Sequence, residues 1–306
     1  MLQRIIADYK GLQDGPLLIV TGGQHGNEMA GVNAIRRMEY LLKEEEALFP
    51  EFIYNGRFVG LSGNIPALLS GQRLIDLDLN RVWLDNVNDI KDTSAFNQMS
   101  EIQTTIQNLI NEHTEHQPVI IMDLHTTSSP RGIFAVCTNT AMSKKITGEL
   151  LCPVITNMTA QLKGSMIQYY STHVVSNRDI TSFAFEGGQH NDEHSVSRLI
   201  AGMVNCMRTI NAVSYESVES KHDEILSAYA QGLPKYCIIS YVHRIEKASL
   251  WKMKPGYQGF QKIKKGEVVA SYAGSPVVVP LDGYMLMPLY QKSGNEGFFI
   301  VEEEDN

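Results

Sequence analysis

The sequence lacks any apolar run near the roughly 20 residues that a membrane-crossing helix needs, so no membrane partner is expected. Its N-terminus, Met1-Leu2-Gln3-Arg4-Ile5-Ile6-Ala7-Asp8, has neither the long apolar centre nor the small-residue cleavage site of a secretory leader. A cytoplasmic location is the expectation. Basic residues are in deficit, 26 Lys and Arg against 34 Asp and Glu, for a net charge of −8. That balance argues against a nucleic-acid surface, which needs a basic patch. It leaves room for a small anionic partner, because a few arginines in a cleft set the local field. Cysteine is scarce. Cys137, Cys152, Cys206 and Cys237 are dispersed and form no C-x-x-C, so they are expected to be buried thiols. There is no internal repeat and no low-complexity tract.

What is present is an ordinary soluble composition over 306 residues, enough for a substantial core and two domains. The aliphatic runs at 17–20 and 119–122 read as buried strands, and 57–61, 132–137 and 180–185 read as further strands. Between them, 29–46, 98–112 and 195–211 carry apolar residues at helical spacing; in 29–46 these include Val32, Ile35, Met38, Tyr40, Leu41 and Leu42. Strands alternating with helices predict an α/β fold with a mostly parallel or mixed central sheet flanked by helices. Residues 214–224 are polar, and beyond about 234 short β-like runs are punctuated by Gly and Pro. A small C-terminal all-β domain is expected there. The division expected is 1–225 for an α/β catalytic domain and 226–306 for the β domain.

The chemistry gathers at strand ends. The strand at 17–20 runs into Thr21-Gly22-Gly23-Gln24-His25-Gly26-Asn27-Glu28. His25 and Glu28 stand three apart, on one side of a beginning helical turn, and their nitrogen and oxygen donors suit zinc. His125, after the strand at 119–122, is the candidate third ligand, and Asp123 could orient an imidazole from behind. The competing reading of the first stretch is a helix-capping turn. A phosphate loop is disfavoured by the missing Lys-Ser/Thr and third Gly. Glu186, at the end of the strand at 180–185, is placed to act as a base on a metal-activated water; the plainer reading is an exposed loop residue. Arg73 and Arg81 flank Asp76 and Asp78. They could polarise a carbonyl or clamp a carboxylate, with Asn80 assisting, or form a surface ion-pair cluster.

With these residues assembled, the chain resembles the succinylglutamate desuccinylase/aspartoacylase family of zinc-carboxypeptidase-like hydrolases. The likeness rests on Gly22-Gly23-Gln24-His25-Gly26-Asn27-Glu28, on Gly63-Asn64 through Arg73 to Asp78-Leu79-Asn80-Arg81, on Asp123-Leu124-His125 and on Phe185-Glu186-Gly187-Gly188. The resemblance implies one Zn²⁺ per subunit at His25, Glu28 and His125. It implies Glu186 as general base and then acid, Arg73 polarising the scissile carbonyl, and Asn80 and Arg81 holding the substrate carboxylate. Family members also use an arginine before the catalytic glutamate for a distal carboxylate. Arg178 is the nearby arginine, two residues short of the usual spacing. The proline of the G-N-P run is displaced to Pro66, and no hydroxyl stands among Asn295-Glu296-Gly297-Phe298-Phe299, where a family tyrosine reaches the site.

The function these features predict is a zinc-dependent deacylase that opens the amide of a small anionic N-acyl amino acid, N-succinylglutamate-like or N-acetylaspartate-like. The alternatives are a zinc carboxypeptidase of short peptides and a metal-binding, non-catalytic family member. No nucleic-acid partner is expected, and a homo-oligomer is left open.

Overall fold

Alternating burial builds the centre of the molecule. A computed structural model describes residues 2–138, 140–216 and 221–304. Residues 217–220, within the polar stretch 214–224, lie outside the described residues. The strands in chain order are β1 (Ile5–Lys10), β2 (Gln13–Gly22), β3 (Asn55–Ser62), β4 (Val119–Thr127), β5 (Ile133–Val136), β6 (Val154–Ile155) and β7 (Ile180–Gln189). They continue with β8 (Tyr236–Arg244), β9 (Trp251–Met253), β10 (Gln261–Ile263), β11 (Val268–Tyr272), β12 (Ser275–Val278), β13 (Gly283–Leu286) and β14 (Glu296–Glu303). In β2, Leu18 and Val20 enter one apolar cluster while Leu17 and Ile19 enter another. In β4, Ile120, Met122 and Leu124 join the first, and Val119 and Ile121 the second. Successive side chains leave opposite faces of a strand, so a continuous aliphatic run marks a strand covered on both sides.

Three of the covering helices are those expected, the first running on to Leu48, the second starting earlier at Ser94 and the third ending at Thr209; Met166–Thr172 is an addition. Met29–Leu48 and Ser195–Thr209 lie on one face, and Ser94–Glu112 and Met166–Thr172 lie on the other. The expected stripe of the first helix holds for Val32, Ile35, Met38 and Leu42, which are buried. Tyr40 departs from it: it is 55% exposed and stacks under the Arg37 guanidinium. At 3.6 residues per turn, position 40 falls between the buried positions 38 and 42 and faces outward.

The strands form one mixed eleven-stranded sheet in the order β1-β3-β2-β4-β7-β5-β6-β8-β14-β13-β10. The pairs β2–β3, β2–β4 and β4–β7 are parallel, and β5 runs antiparallel to β7. The short strands expected beyond residue 234 all form. β8, β10, β13 and β14 extend the large sheet, while β9, β11 and β12 make a separate three-stranded antiparallel sheet. No helix among the described residues is long and apolar enough to cross a membrane. The consequence for chemistry is positional: the parallel strands β2, β4 and β7 end together, which is where such sheets place their sites.

Candidate metal centre and its cleft

The end of β2 turns tightly because glycine lets it. Gly23 adopts φ +80°, a left-handed conformation that costs other residues strain. A Cβ at Gly26 would fall about 2.1 Å from the Ala67 carbonyl carbon and oxygen. The loop is pinned from the next segment, since Gly26 N–H donates to the Arg73 carbonyl (3.0 Å). Pro66 sits within the first turn of the short helix Ile65–Ser70, where its missing N–H costs nothing. Asn64 caps that helix through its side chain (3.2 Å to Ala67 N).

Glu28 stands at the N-cap of the helix Met29–Leu48, yet its side chain makes no capping bond. Its carboxylate turns to the strand ends instead. Oε1 lies 2.7 Å from His25 Nδ1, and Oε2 lies 3.1 Å from His125 Nδ1. Thr126 N–H also donates to Oε2. The capping-turn reading therefore fails, because the charge serves His25 and His125 and not its own helix.

His25, Glu28 and His125 are each at most 5% exposed, and one ligand atom from each lies within 4.8 Å of the others. This buried group could hold a metal ion. The far side of each ring supports that use. His25 Nε2 is 3.0 Å from Asp78 Oδ1, and His125 Nε2 is 2.7 Å from Asp123 Oδ2. A carboxylate behind each Nε2 favours a hydrogen there, so the nitrogen that would turn its lone pair to an ion, when one is bound, is Nδ1, which faces Glu28. Asp123 is held in turn by the Thr21 hydroxyl.

The electrostatics follow from burial and neighbours. Burial would raise Glu28, but the charge of His25 and the hydrogen bond from His125 hold it well below the usual carboxylate range. Asp78 is likewise held low against burial by His25, Arg73 and Arg81. Burial would lower His125, but Asp123 and Glu28 beside it raise it well above the usual imidazole value. Asp123→Ala removes the acceptor behind His125 and is expected to weaken metal binding at this group by about 10–100-fold. Competition with a chromophoric chelator measures this, and an unchanged affinity would show that Asp123 does not orient the ring.

Glu186 sits across from His125 in the register of β4 and β7, so both project from one end of the sheet. It is 8% exposed, and its Oε2 has no hydrogen-bond partner among the described residues. Burial pushes its carboxyl up to about 8, against the pull of His125. A carboxyl raised on folding contributes stability that is fully present below its ordinary value near 4.5 and is lost as pH rises through 8. The metal-free chain is therefore expected to lose stability between pH 5 and 8 relative to Glu186→Gln. Urea midpoints of both chains across that range check this, and a difference that does not change with pH would refute it.

The remaining arginines separate. Arg73 Nη2 donates to Asp78 (3.0 Å), and Nη1 stands 3.8 Å from Glu28. Asn80 and Arg81 lie on a one-turn 3₁₀ helix, Leu79–Arg81, capped by Asp78. Asn80 Nδ2 is 3.4 Å from His125 Nε2, and Arg81 Nη2 is 3.7 Å from Glu296. Arg73, Asn80, Arg81 and Glu186 all line the cleft with the three candidate ligands. Arg178 does not. It precedes β7 and donates to the Gln117 carbonyl. Eight residues of extended chain separate it from Glu186, roughly 26 Å at about 3.3 Å per residue, which sets it at the opposite end of the sheet.

Sequence reasoning missed two sets of residues here. Asp78 was seen only as part of an acidic stretch, although it orients His25. His190, whose Nδ1 lies 2.7 Å from the Thr126 hydroxyl, and Met287, Gln291, Glu296 and Phe299 from the C-terminal part also line the cleft. His190 directly follows β7, four residues after Glu186, and was the fallback ligand candidate; the four C-terminal residues carry no local signal, because they arrive through sheet pairing. Tyr290 is turned away, with its hydroxyl on the Lys254 carbonyl (2.9 Å).

Residues 14–145 match the succinylglutamate desuccinylase/aspartoacylase catalytic domain. Through that segment the chain is similar to the succinylglutamate desuccinylase/aspartoacylase family. It is similar to a probable aspartoacylase of Trichodesmium erythraeum (strain IMS101), 31% identical over 124 residues, which are 40% of this chain and 39% of the relative. It is similar to another probable aspartoacylase, of Nostoc sp. (strain PCC 7120 / SAG 25.82 / UTEX 2576), 27% identical over 122 residues, 39% of this chain and 38% of that one. The match thus spans about two-fifths of these curated relatives. The family fold extends further: a succinylglutamate desuccinylase/aspartoacylase structure from Rhodobacter sphaeroides superposes with a TM-score of 0.66 at 17% identity, covering 96% of this chain and 87% of the other.

Proposed function

We propose that this chain is a member of that family and a zinc-dependent amidohydrolase of N-acyl amino acids, with zinc at His25, Glu28 and His125. The observation that carries the proposal is the buried, converging donor set with Glu186 in register beside His125. When bound, zinc supplies Lewis acidity that makes a water nucleophilic near neutral pH. Glu186 takes a proton from the attacking water as its oxygen bonds the acyl carbon, and returns it to the nitrogen as the C–N bond breaks. The products are a carboxylate and a free amino acid. Arg73, tied to Asp78 and close to Glu28, donates to the oxyanion that develops on the carbonyl oxygen. Asn80 and Arg81 hold the substrate's carboxylate, Arg81 by the planar fork that suits it. Residues 1–225 supply this machinery, and 226–306 close the cleft through Met287, Glu296 and Phe299.

A peptidase reading draws on the groove that continues past Arg81 and Glu296, lined by Asp85, Lys163, Arg244 and Glu246. Metal analysis followed by amine release from N-acyl amino acids and short peptides decides between them. Stoichiometric zinc with turnover of acyl amino acids is expected. Turnover of peptides alone would favour the peptidase, and zinc without any turnover would leave a binding protein.

A further inference from the structure

Beside Glu186 the cleft is not built for a second charge. Glu186 lies opposite Phe134 in the antiparallel register of β7 and β5, and Ala184 lies opposite Val136. Positions two apart share a face of the sheet, so Ala184, Phe134 and Val136 form the floor on the same side as Glu186. Phe299 from β14, Met158 and Ile167 continue that surface. All six belong to one apolar cluster, and none is more than 6% exposed. Met287, after β13, completes the wall with φ +49°, a left-handed conformation uncommon outside glycine.

The charges that line the cleft point the same way. Its Lys and Arg residues, among those described, are Arg73 and Arg81 alone. Arg73 is engaged by Asp78, and Arg81 faces Glu296, whose other oxygen lies 3.6 Å from Arg244. Four acidic side chains, Glu28, Asp123, Glu186 and Glu296, line the same cavity; Glu28 and Asp123 are taken up by His25 and His125, and Glu296 faces Arg81. Arg178, the sole sequence candidate for a distal clamp, is at the far end of the sheet. A substrate carboxylate pushed onto Phe134 and Val136 would be desolvated with no cation to meet it, which is strongly unfavourable.

We infer that the substrate carries a single carboxylate, met at Asn80 and Arg81, and presents an uncharged apolar substituent to the wall formed by Phe134, Val136, Met158, Ile167, Met287 and Phe299. This rests on the amidohydrolase reading above. It replaces the dicarboxylic substrates expected from the sequence with N-acyl derivatives of apolar amino acids or fatty-acyl derivatives of small ones.

The test uses the zinc-loaded full chain and five amides: N-acetyl-leucine, N-acetyl-phenylalanine, N-hexanoyl-glycine, N-acetyl-aspartate and N-succinyl-glutamate. At least one apolar compound is expected to exceed both acidic ones in kcat/KM by about 100-fold, the scale of discrimination that pocket contacts give. The first three compounds distinguish a side-chain subsite from an acyl subsite. Calorimetric binding of all five to zinc-loaded Glu186→Gln provides a readout independent of turnover. Tighter binding of an apolar compound supports the inference even if nothing is hydrolysed, an outcome that would count against the amidohydrolase reading alone. Tighter binding or faster turnover of the acidic compounds would overturn it. Met287→Lys, which adds a cation to the wall, is expected to shift the acidic-to-apolar ratio of kcat/KM at least 10-fold toward the acidic compounds. An unchanged ratio in a folded variant would also count against the subsite.

Discussion

Glu186→Gln is expected to keep its zinc and lose about 10³–10⁴-fold in kcat, the upper part of the range for a positioned general base. The substitution keeps the shape of a side chain that is 8% exposed beside His125, so the fold has no reason to change. It removes the only feature the mechanism uses, an oxygen that can hold a proton between water and the leaving nitrogen. Arg73 and the metal ligands remain, so residual catalysis by oxyanion stabilisation survives. Zinc content from elemental analysis and kcat on the best amide check this together. Near wild-type turnover in the loaded variant would assign the base elsewhere. Loss of zinc along with activity would instead make Glu186 part of the metal site.

The second large effect is expected from His125→Ala. It leaves two protein donors, His25 and Glu28, and zinc affinity should fall by more than the 10–100-fold typical of losing an orienting residue. The loss has a folding cost as well. Glu28 and Asp123 are buried and each is held by His125 (3.1 and 2.7 Å), so both lose a partner. Breaking a buried pair in this way typically costs about 3–5 kcal/mol. The purified variant should therefore carry substoichiometric zinc, show negligible amide hydrolysis and melt earlier. His173→Ala is the control. That ring is exposed, stacks on Tyr169 at 4.2 Å and is not among the residues that line the cleft, so zinc should be unchanged. Full zinc in His125→Ala would sink the ligand assignment.

These expectations differ in where they come from. His25 and Glu28 were legible because a βα turn brings its own residues together: an aliphatic strand, glycines that allow the turn, and two donors three positions apart. His125 and Glu186 were legible for a related reason. Each stands near the end of a segment that reads as a strand, and parallel strands β2, β4 and β7 end at the same edge of the sheet. Burial in both faces made those strands readable as continuous runs, and strand ends fix where their next residues go.

Arg178 shows the boundary of that reading. Its distance from Glu186 along the chain looked close to right, but an extended strand converts eight positions into the length of the sheet. The partners of the ligands were also out of reach. Asp78 meets His25 only because a short helix and a 3₁₀ turn fold the segment after β3 back over the end of β2.

The sequence by itself determined the α/β pattern, the donors of the candidate metal centre and the position of the candidate base, because each is encoded by local spacing at a strand end. Only the tertiary structure decided the lining of the rest of the cleft. β5 pairs with β7 and β14 with β8, placing Phe134, Val136 and Phe299 near Glu186 across gaps of 52, 50 and 113 positions in the chain. Side-chain contacts between such distant segments depend on strand order and register, and neither is written in any local stretch of the chain.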